Sequence, residues 1–168
     1  MLIVSDTTPI ITLMKMGHLD ILKHLYGKVL IPNAVYMELT GNKEFVAEAS
    51  QVMDSDFLEV EEVDNEIAVT ILQEVSGLDA GESEAIVMAN SRKADLLVMD
   101  EHKGRGVAKK MGLPITGTIG LLLKAFDEGM FTAGDIEECI EKLKETNVRI
   151  SEGLFDIMRE HIKDNIFS

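Results

Sequence analysis

Asp95-Leu96-Leu97-Val98-Met99-Asp100-Glu101 is the stretch whose reading decides the fold. Four apolar residues in a row, bounded by acids, read as a strand buried on both faces, as in a parallel sheet. The strand ends on two carboxylates, Asp100 and Glu101. The chain opens in the same way, with Leu2-Ile3-Val4-Ser5-Asp6 as a short apolar strand ending on Asp. In an open α/β sheet, ligands bind just beyond the carboxyl ends of the strands. Two strands that carry Asp6 and Asp100 to one edge therefore make an acidic pocket.

Working outward, three more strands are legible. Lys28-Val29-Leu30-Ile31 is apolar and stops at Pro32, residues 57–63 mix apolar and acidic side chains as an edge strand does, and Pro114-Ile115-Thr116 is short. The segments between them read as helices. One starts at Thr7-Thr8-Pro9, with Thr8 as the cap and Pro9 in the first turn, and ends at Gly17. Residues 18–25 make a second. Asn33 can cap residues 34–40, and 43–53 look helical. Residues 65–75 put Ile67, Ala68, Ile71 and Leu72 on one face. Asp79 and Glu82 form a capping-box-like start for a largely buried helix over 81–93. Residues 102–111 are a basic helix that stops at Gly112, and the remainder is helical over 118–128, 132–146 and 151–165.

Strands alternating with helices predict an α/β fold: a three-layer parallel sheet of about five strands flanked by helices, with right-handed crossovers. Residues 1–130 form the α/β domain. Residues 131–168 form a helical extension packed on it, with Val148-Arg149-Ile150 as the hinge. In the last helix Leu154, Phe155, Ile157, Met158, Ile162 and Ile166-Phe167 either pack on the chain's own core or meet a partner, a second copy or an antitoxin protein.

The 168 residues suit one domain, and 46% hydrophobic content is ordinary for a globular protein. No apolar run reaches a membrane span and the N-terminus does not read as a signal peptide, so a cytoplasmic protein with no membrane contact is expected. The single Cys139 lies in an apolar helical stripe and reads as core. Sixteen Lys and Arg against 30 Asp and Glu give a net charge of −14, which excludes broad, nonspecific nucleic-acid binding. Lys103, Arg105, Lys109 and Lys110 nevertheless cluster directly after Asp100, as a solvated helix face or as a patch for phosphates.

Further acids can join the pocket. Glu38 sits among apolar residues in Val35-Tyr36-Met37-Glu38-Leu39. Glu82 and Glu84 lie in the first turns of the buried helix, Glu82 as cap or as ligand, Glu84 at the lip of the core. Asp6, Glu38, Glu84 and Asp100 converging on one sheet edge would repel one another and raise their pKa values unless a cation neutralises them. An all-oxygen donor set selects Mg²⁺ or Mn²⁺ over zinc, and no His/Cys cluster stands at zinc-ligand spacing. Carboxylate-held divalent ions suit phosphodiester cleavage.

An ordered set of motifs carries a resemblance: Val4-Ser5-Asp6-Thr7-Thr8-Pro9-Ile10, Ile31-Pro32-x-Ala34-Val35-Tyr36-x-Glu38-Leu39, Leu78-Asp79-Ala80-Gly81-Glu82-Ser83-Glu84-Ala85-Ile86, Leu96-Leu97-Val98-Met99-Asp100-Glu101 and Gly112-Leu113-Pro114-Ile115-Thr116-Gly117-Thr118. Over roughly its first three quarters the chain resembles PIN-domain proteins, of the subgroup usually described as predicted nucleic-acid-binding proteins. The resemblance implies a Mg²⁺- or Mn²⁺-dependent ribonuclease site of three or four acids. Carried over by motif, the acids are Asp6, Glu38, Glu84 and Asp100. Toxin-type members usually have Asp at the third, so Glu84 is a departure with a longer reach. Glu82 resembles the first of the paired glutamates of related flap endonucleases and can share the metal. The Thr that toxin-type members often carry two residues before the fourth acid is replaced by Val98, which leaves hydroxyl contacts to Thr8, Thr116 or Thr118.

The expectation is thus a ribonuclease acting on single-stranded RNA, the toxin of a toxin–antitoxin pair and a homo-dimer. Asp6, Glu82, Glu84 and Asp100 hold the metal. Glu38 completes the site or orients water, and Lys103 and Arg105 hold substrate phosphates. Two rivals stand beside it: a non-catalytic PIN-like module that binds protein or nucleic acid, and a phosphotransfer domain with Asp6 as nucleophile. The absence of a second Asp at residue 8 counts against the latter.

Overall fold

The structure, a computed structural model, describes residues 1–166. Its centre is a five-stranded, all-parallel sheet in the order β3-β2-β1-β4-β5. The strands are β1 (Ile3–Ser5), β2 (Val29–Pro32), β3 (Leu58–Glu61), β4 (Leu96–Val98) and β5 (Ile115–Thr116). The first, α1 (Thr7–Met16), leaves β1 directly, and α2 (Asp20–Tyr26) leads into β2. Then α3 (Asn33–Gly41), a 3-10 turn at Lys43–Phe45 and α4 (Val46–Met53) lead to β3. The long crossover from β3 to β4 carries α5 (Glu66–Ser76) and α6 (Ala80–Ser91). After β4 come α7 (His102–Lys110), β5, and the helices α8 (Thr118–Asp127), α9 (Ala133–Glu145) and α10 (Glu152–Ile166).

Side-chain alternation along short strands makes two cores. Ile3, Val29, Ile31 and Val98 face one side, where α1, α2, α8, α9 and α10 supply Ile10, Leu13, Leu22, Leu121, Ile140 and Met158. Val4, Leu30 and Leu97 face the other, against Ile86, Met88 and Ala89 of α6 and Ala108 of α7. Phe155, Met158 and Ile162 of α10 are buried in the first core, where the last helix packs on α8 and α9. Leu154, Ile157 and Ile166 remain exposed, and Phe167 lies outside the described residues. Among the described residues, no helix is long and apolar enough to cross a membrane.

Several local expectations are corrected. The middle strand is β1, not the 95–99 strand from which the fold was read outward, because β4 crosses back over β1 to pair on its far side. Asp6, not Thr8, is the N-cap of α1, its extended backbone being the direct continuation of β1. Asn33 is the first helical residue of α3 and Pro32 its cap, since β2 runs one residue further. On α5, Ile67 is 74% and Ile71 57% exposed; Val69 is the buried contact instead. The capping boxes at Asp79/Glu82 and Thr132/Asp135 both form. Gly17, Gly77 and Gly112 end their helices or turns with positive φ, where a side chain would be strained. Cys139 is buried, and burial pushes its thiol up to about 11.

Candidate functional site

The chain runs outward from β1 to β3 on one side, then returns to β4 on the other. The sheet therefore reverses direction between β1 and β4, and the carboxyl ends of those strands open a crevice there. Ser5 is in register with Val98, and the Asp6 N–H donates to the Val98 carbonyl at 2.9 Å. Asp6 and Asp100 thus leave adjacent strands at the same edge, for a topological reason.

Asp6 is 2% exposed, and its carboxyl is raised from 3.8 to about 7. Burial is the main cause, opposed by the Thr7 backbone N–H; Glu82, Asp79 and Glu38 then push it further up. Glu38, on α3, reaches solvent more freely, but partial burial and Asp79 raise it as well. Its carboxylate lies against Gly81, where a Cβ would sit 2.7 Å from Glu38 Oε1 and 3.4 Å from Thr7 Oγ1. The Thr7 hydroxyl and the Gly81 N–H oppose the Glu38 rise, yet the buried Thr7 Oγ1 has no partner at hydrogen-bonding geometry. Glu82 is raised by burial, against the pull of the Asp79 N–H, with Asp79, Glu101 and Glu38 adding repulsion. It also serves as cap, its Oε2 accepting from the Asp79 N–H at 3.0 Å.

Asp100 is held differently. Its Oδ1 accepts from the Thr118 N–H at 2.7 Å and its Oδ2 from the Thr118 hydroxyl at 2.6 Å. A Cβ at Gly117 would fall 2.5 Å from Asp100 Oδ1, so this glycine lets the α8 N-terminus close on the carboxylate. Thr118 is 2% exposed and its hydroxyl is committed to Asp100, so it orients that acid. Arg105 donates from Nη1 to the Met99 carbonyl at 2.8 Å, directly behind Asp100. Glu101 caps α7 through the Gly104 N–H at 2.6 Å. Lys103 is exposed, its Nζ lying beside Gly77, and Thr8 accepts the Thr12 hydroxyl on its carbonyl at 2.9 Å.

Glu84 stands apart from this group. Its Oε2 accepts from the Ala34 N–H at 2.9 Å at the start of α3, and it lines a hollow with Asn33, Glu62 and Glu66 on the β3 side. Asp6, Glu38 and Glu82 are the acids the fold couples, with Asp100 on the neighbouring strand end and Asp79 at the rim. Asp79 and Gly81 were read as helix punctuation in the sequence; nothing there showed that they also face Glu38.

An all-oxygen set around a buried, charge-repelled Asp6 is chemically suited to a hard divalent cation, which would reverse the rise in its pKa. Among the described residues, no three His, Cys, Asp or Glu side chains stand at metal-ligand distances from one point.

The chain matches no curated protein at a significant level. A family model for the PIN domain matches residues 2–164, nearly the whole chain, including the helices after β5. PIN domains are in general nucleases that typically use divalent metal ions, and the all-parallel sheet with flanking helices agrees with that fold. The chain belongs to the PIN-domain family and has a nuclease-type fold.

Proposed function

We propose that the protein is a Mg²⁺- or Mn²⁺-dependent endoribonuclease that cleaves single-stranded RNA at the β1–β4 crevice. The observation that supports this most is Asp6: a nearly inaccessible carboxyl at the switch point of the sheet, pressed by Glu82, Asp79 and Glu38. Burying acids against one another is costly unless a cation joins them.

In this reading Asp6, Glu82 and Asp100 hold the ion, and Glu38 completes the set or orients the attacking water. Thr118 fixes the Asp100 carboxylate, which keeps free lone pairs for a metal. Glu84 holds the start of α3, and so the helix that carries Glu38. The ion, when bound, supplies activation of water and stabilisation of the leaving oxygen. The exposed Lys103 and the Arg105 guanidinium beside Asp100 supply positive charge for substrate phosphates. The same reading makes the enzyme the toxin of a toxin–antitoxin pair acting in the cytoplasm. The exposed Ile157 of α10 is then part of its contact in a homo-dimer or with the antitoxin.

The test is Mn²⁺ titration calorimetry on wild type and Asp6→Asn, followed by cleavage of defined single-stranded RNAs. Heat and cleavage that vanish together in the variant are expected. A wild type that binds no Mn²⁺ overturns the nuclease and leaves the non-catalytic binding module. Ile157→Asp, exposed and so compatible with folding, tests the contact by solution mass.

A further inference from the structure

Beside the acids, and sharing Asp100, Arg105 and Thr118 with the proposed site, lies a cavity of about 330 Å³ whose apolar wall that chemistry does not use. Asp100, Thr116 and Thr118 line its side toward the crevice. Its apolar wall is Ile115, Ile119, Leu143, Val148, Ile150 and Leu154; the last four come from α9, α10 and the segment between them. The helices after β5 therefore build half of a pocket that opens beside Asp100.

Arg105 and Arg149 also line this cavity. The Arg105 guanidinium is anchored by its bond to the Met99 carbonyl, and Arg149 is exposed. Among the described residues, neither forms an ion pair. The other two arginines, Arg92 and Arg159, are each held by a glutamate. In a chain of net charge −14, unpaired guanidinium groups at the mouth of one apolar cavity are a local attraction for an anion with an apolar part.

We infer that this cavity receives one nucleobase of a single-stranded RNA, with Arg105 and Arg149 on the phosphates that flank it. The volume lies within the roughly 300–1,000 Å³ of small-ligand pockets, and the apolar wall stands beside threonine hydroxyls, Asp100 and the two arginines. Single-stranded RNA offers splayed bases that lie on apolar side chains and guanidinium planes. A free phosphate would satisfy the arginines but leave the apolar wall in water. An apolar peptide would fill the wall but leave both arginines unused. The choice of RNA as ligand rests on the nuclease reading; the cavity is a separate feature.

The experiment is fluorescence anisotropy with a labelled short single-stranded RNA in EDTA, where no metal-dependent cleavage occurs. Wild type is compared with Arg149→Ala and Leu154→Glu. An abasic strand of the same length is the second probe. Arg149→Ala is expected to weaken binding about tenfold and to lower the salt slope by about one. The abasic strand is expected to lose about tenfold or more through the base alone, and Leu154→Glu at least as much, since its charge also repels the phosphates. Should Leu154→Glu fail to fold, the abasic strand decides the same point. Unchanged affinity in Arg149→Ala, or an abasic strand that binds as tightly as RNA, overturns the inference. The two readings fail separately. Mn²⁺-dependent cleavage with Arg149-insensitive binding removes the cavity and keeps the nuclease. Absent Mn²⁺ binding with Arg149-sensitive, base-dependent RNA binding removes the nuclease and keeps the cavity.

Discussion

Removing the charge of Asp6 should stabilise the metal-free protein while destroying its site. The folded carboxyl titrates at about 7, against an ordinary value of 3.8, and the side chain is 2% exposed. A group with a raised folded pKa binds its proton more tightly when folded, so folding loses stability as that proton leaves. The loss is absent below about pH 4, grows from there, and is complete above about pH 7. The interval between the two values, at about 1.4 kcal/mol per pH unit, makes the full cost about 4 kcal/mol as an upper bound. Asp6→Asn keeps the shape and removes the charge. Urea unfolding in EDTA should find the variant more stable by up to about 4 kcal/mol near pH 8, and by less than about 2 kcal/mol near pH 5. In thermal melts near pH 8 this corresponds to roughly 8–16 °C. Mn²⁺ should then raise the wild-type melting temperature near pH 8 and leave Asp6→Asn unmoved. Equal stabilities of the two proteins near pH 8, or a difference that does not shrink on acidification, would refute the account of a charge buried against its neighbours.

Four further outcomes are expected. Glu82→Gln should weaken Mn²⁺ binding at least tenfold by calorimetry, whereas Glu84→Ala should leave it nearly unchanged and cost about 1 kcal/mol in urea unfolding through the lost bond to Ala34. Thr118→Val removes the hydroxyl from Asp100 Oδ2 and should weaken Mn²⁺ binding about 10–100-fold. Gly81→Ala places a methyl 2.7 Å from Glu38 Oε1, so it should displace Glu38 and lower metal affinity while far-UV circular dichroism stays that of the folded protein. Phe155→Ala, in the core shared with the sheet, should cost about 3–5 kcal/mol and shift one common unfolding transition rather than release α10 alone.

The parallel α/β pattern was legible because β1, β2 and β4 are short apolar runs punctuated by Pro, Gly or Asp, and most of the helices between strands carry their own stop or cap. The Asp79/Glu82 and Thr132/Asp135 boxes are local devices, spaced three residues apart, and so they could be read directly. Strand order was not legible, because nothing local to residues 95–99 says on which side of β1 they pair. The exposure of Ile67 and Ile71 escaped for a related reason: periodicity names a helical face but not whether a neighbour covers it.

Within the site, Asp6 and Asp100 were readable as strand-end acids, since a strand's last residue must emerge at the sheet edge. Glu82 and Glu84 lie two residues apart on one helix, about 200° around its axis, and only packing decides which faces Asp6. The fold turns Glu82 toward Asp6 and Glu38, and ties Glu84 to Ala34. Arg149 was read only as part of a hinge between helices; it joins the Asp100 cavity because Leu143 of α9 and Leu154 of α10 line that cavity on either side of it in the chain. The sequence by itself determined the elements and the chemistry available at their ends. Tertiary structure alone decided which of those ends meet, because residues far apart along the chain are brought together only by sheet order and helix packing.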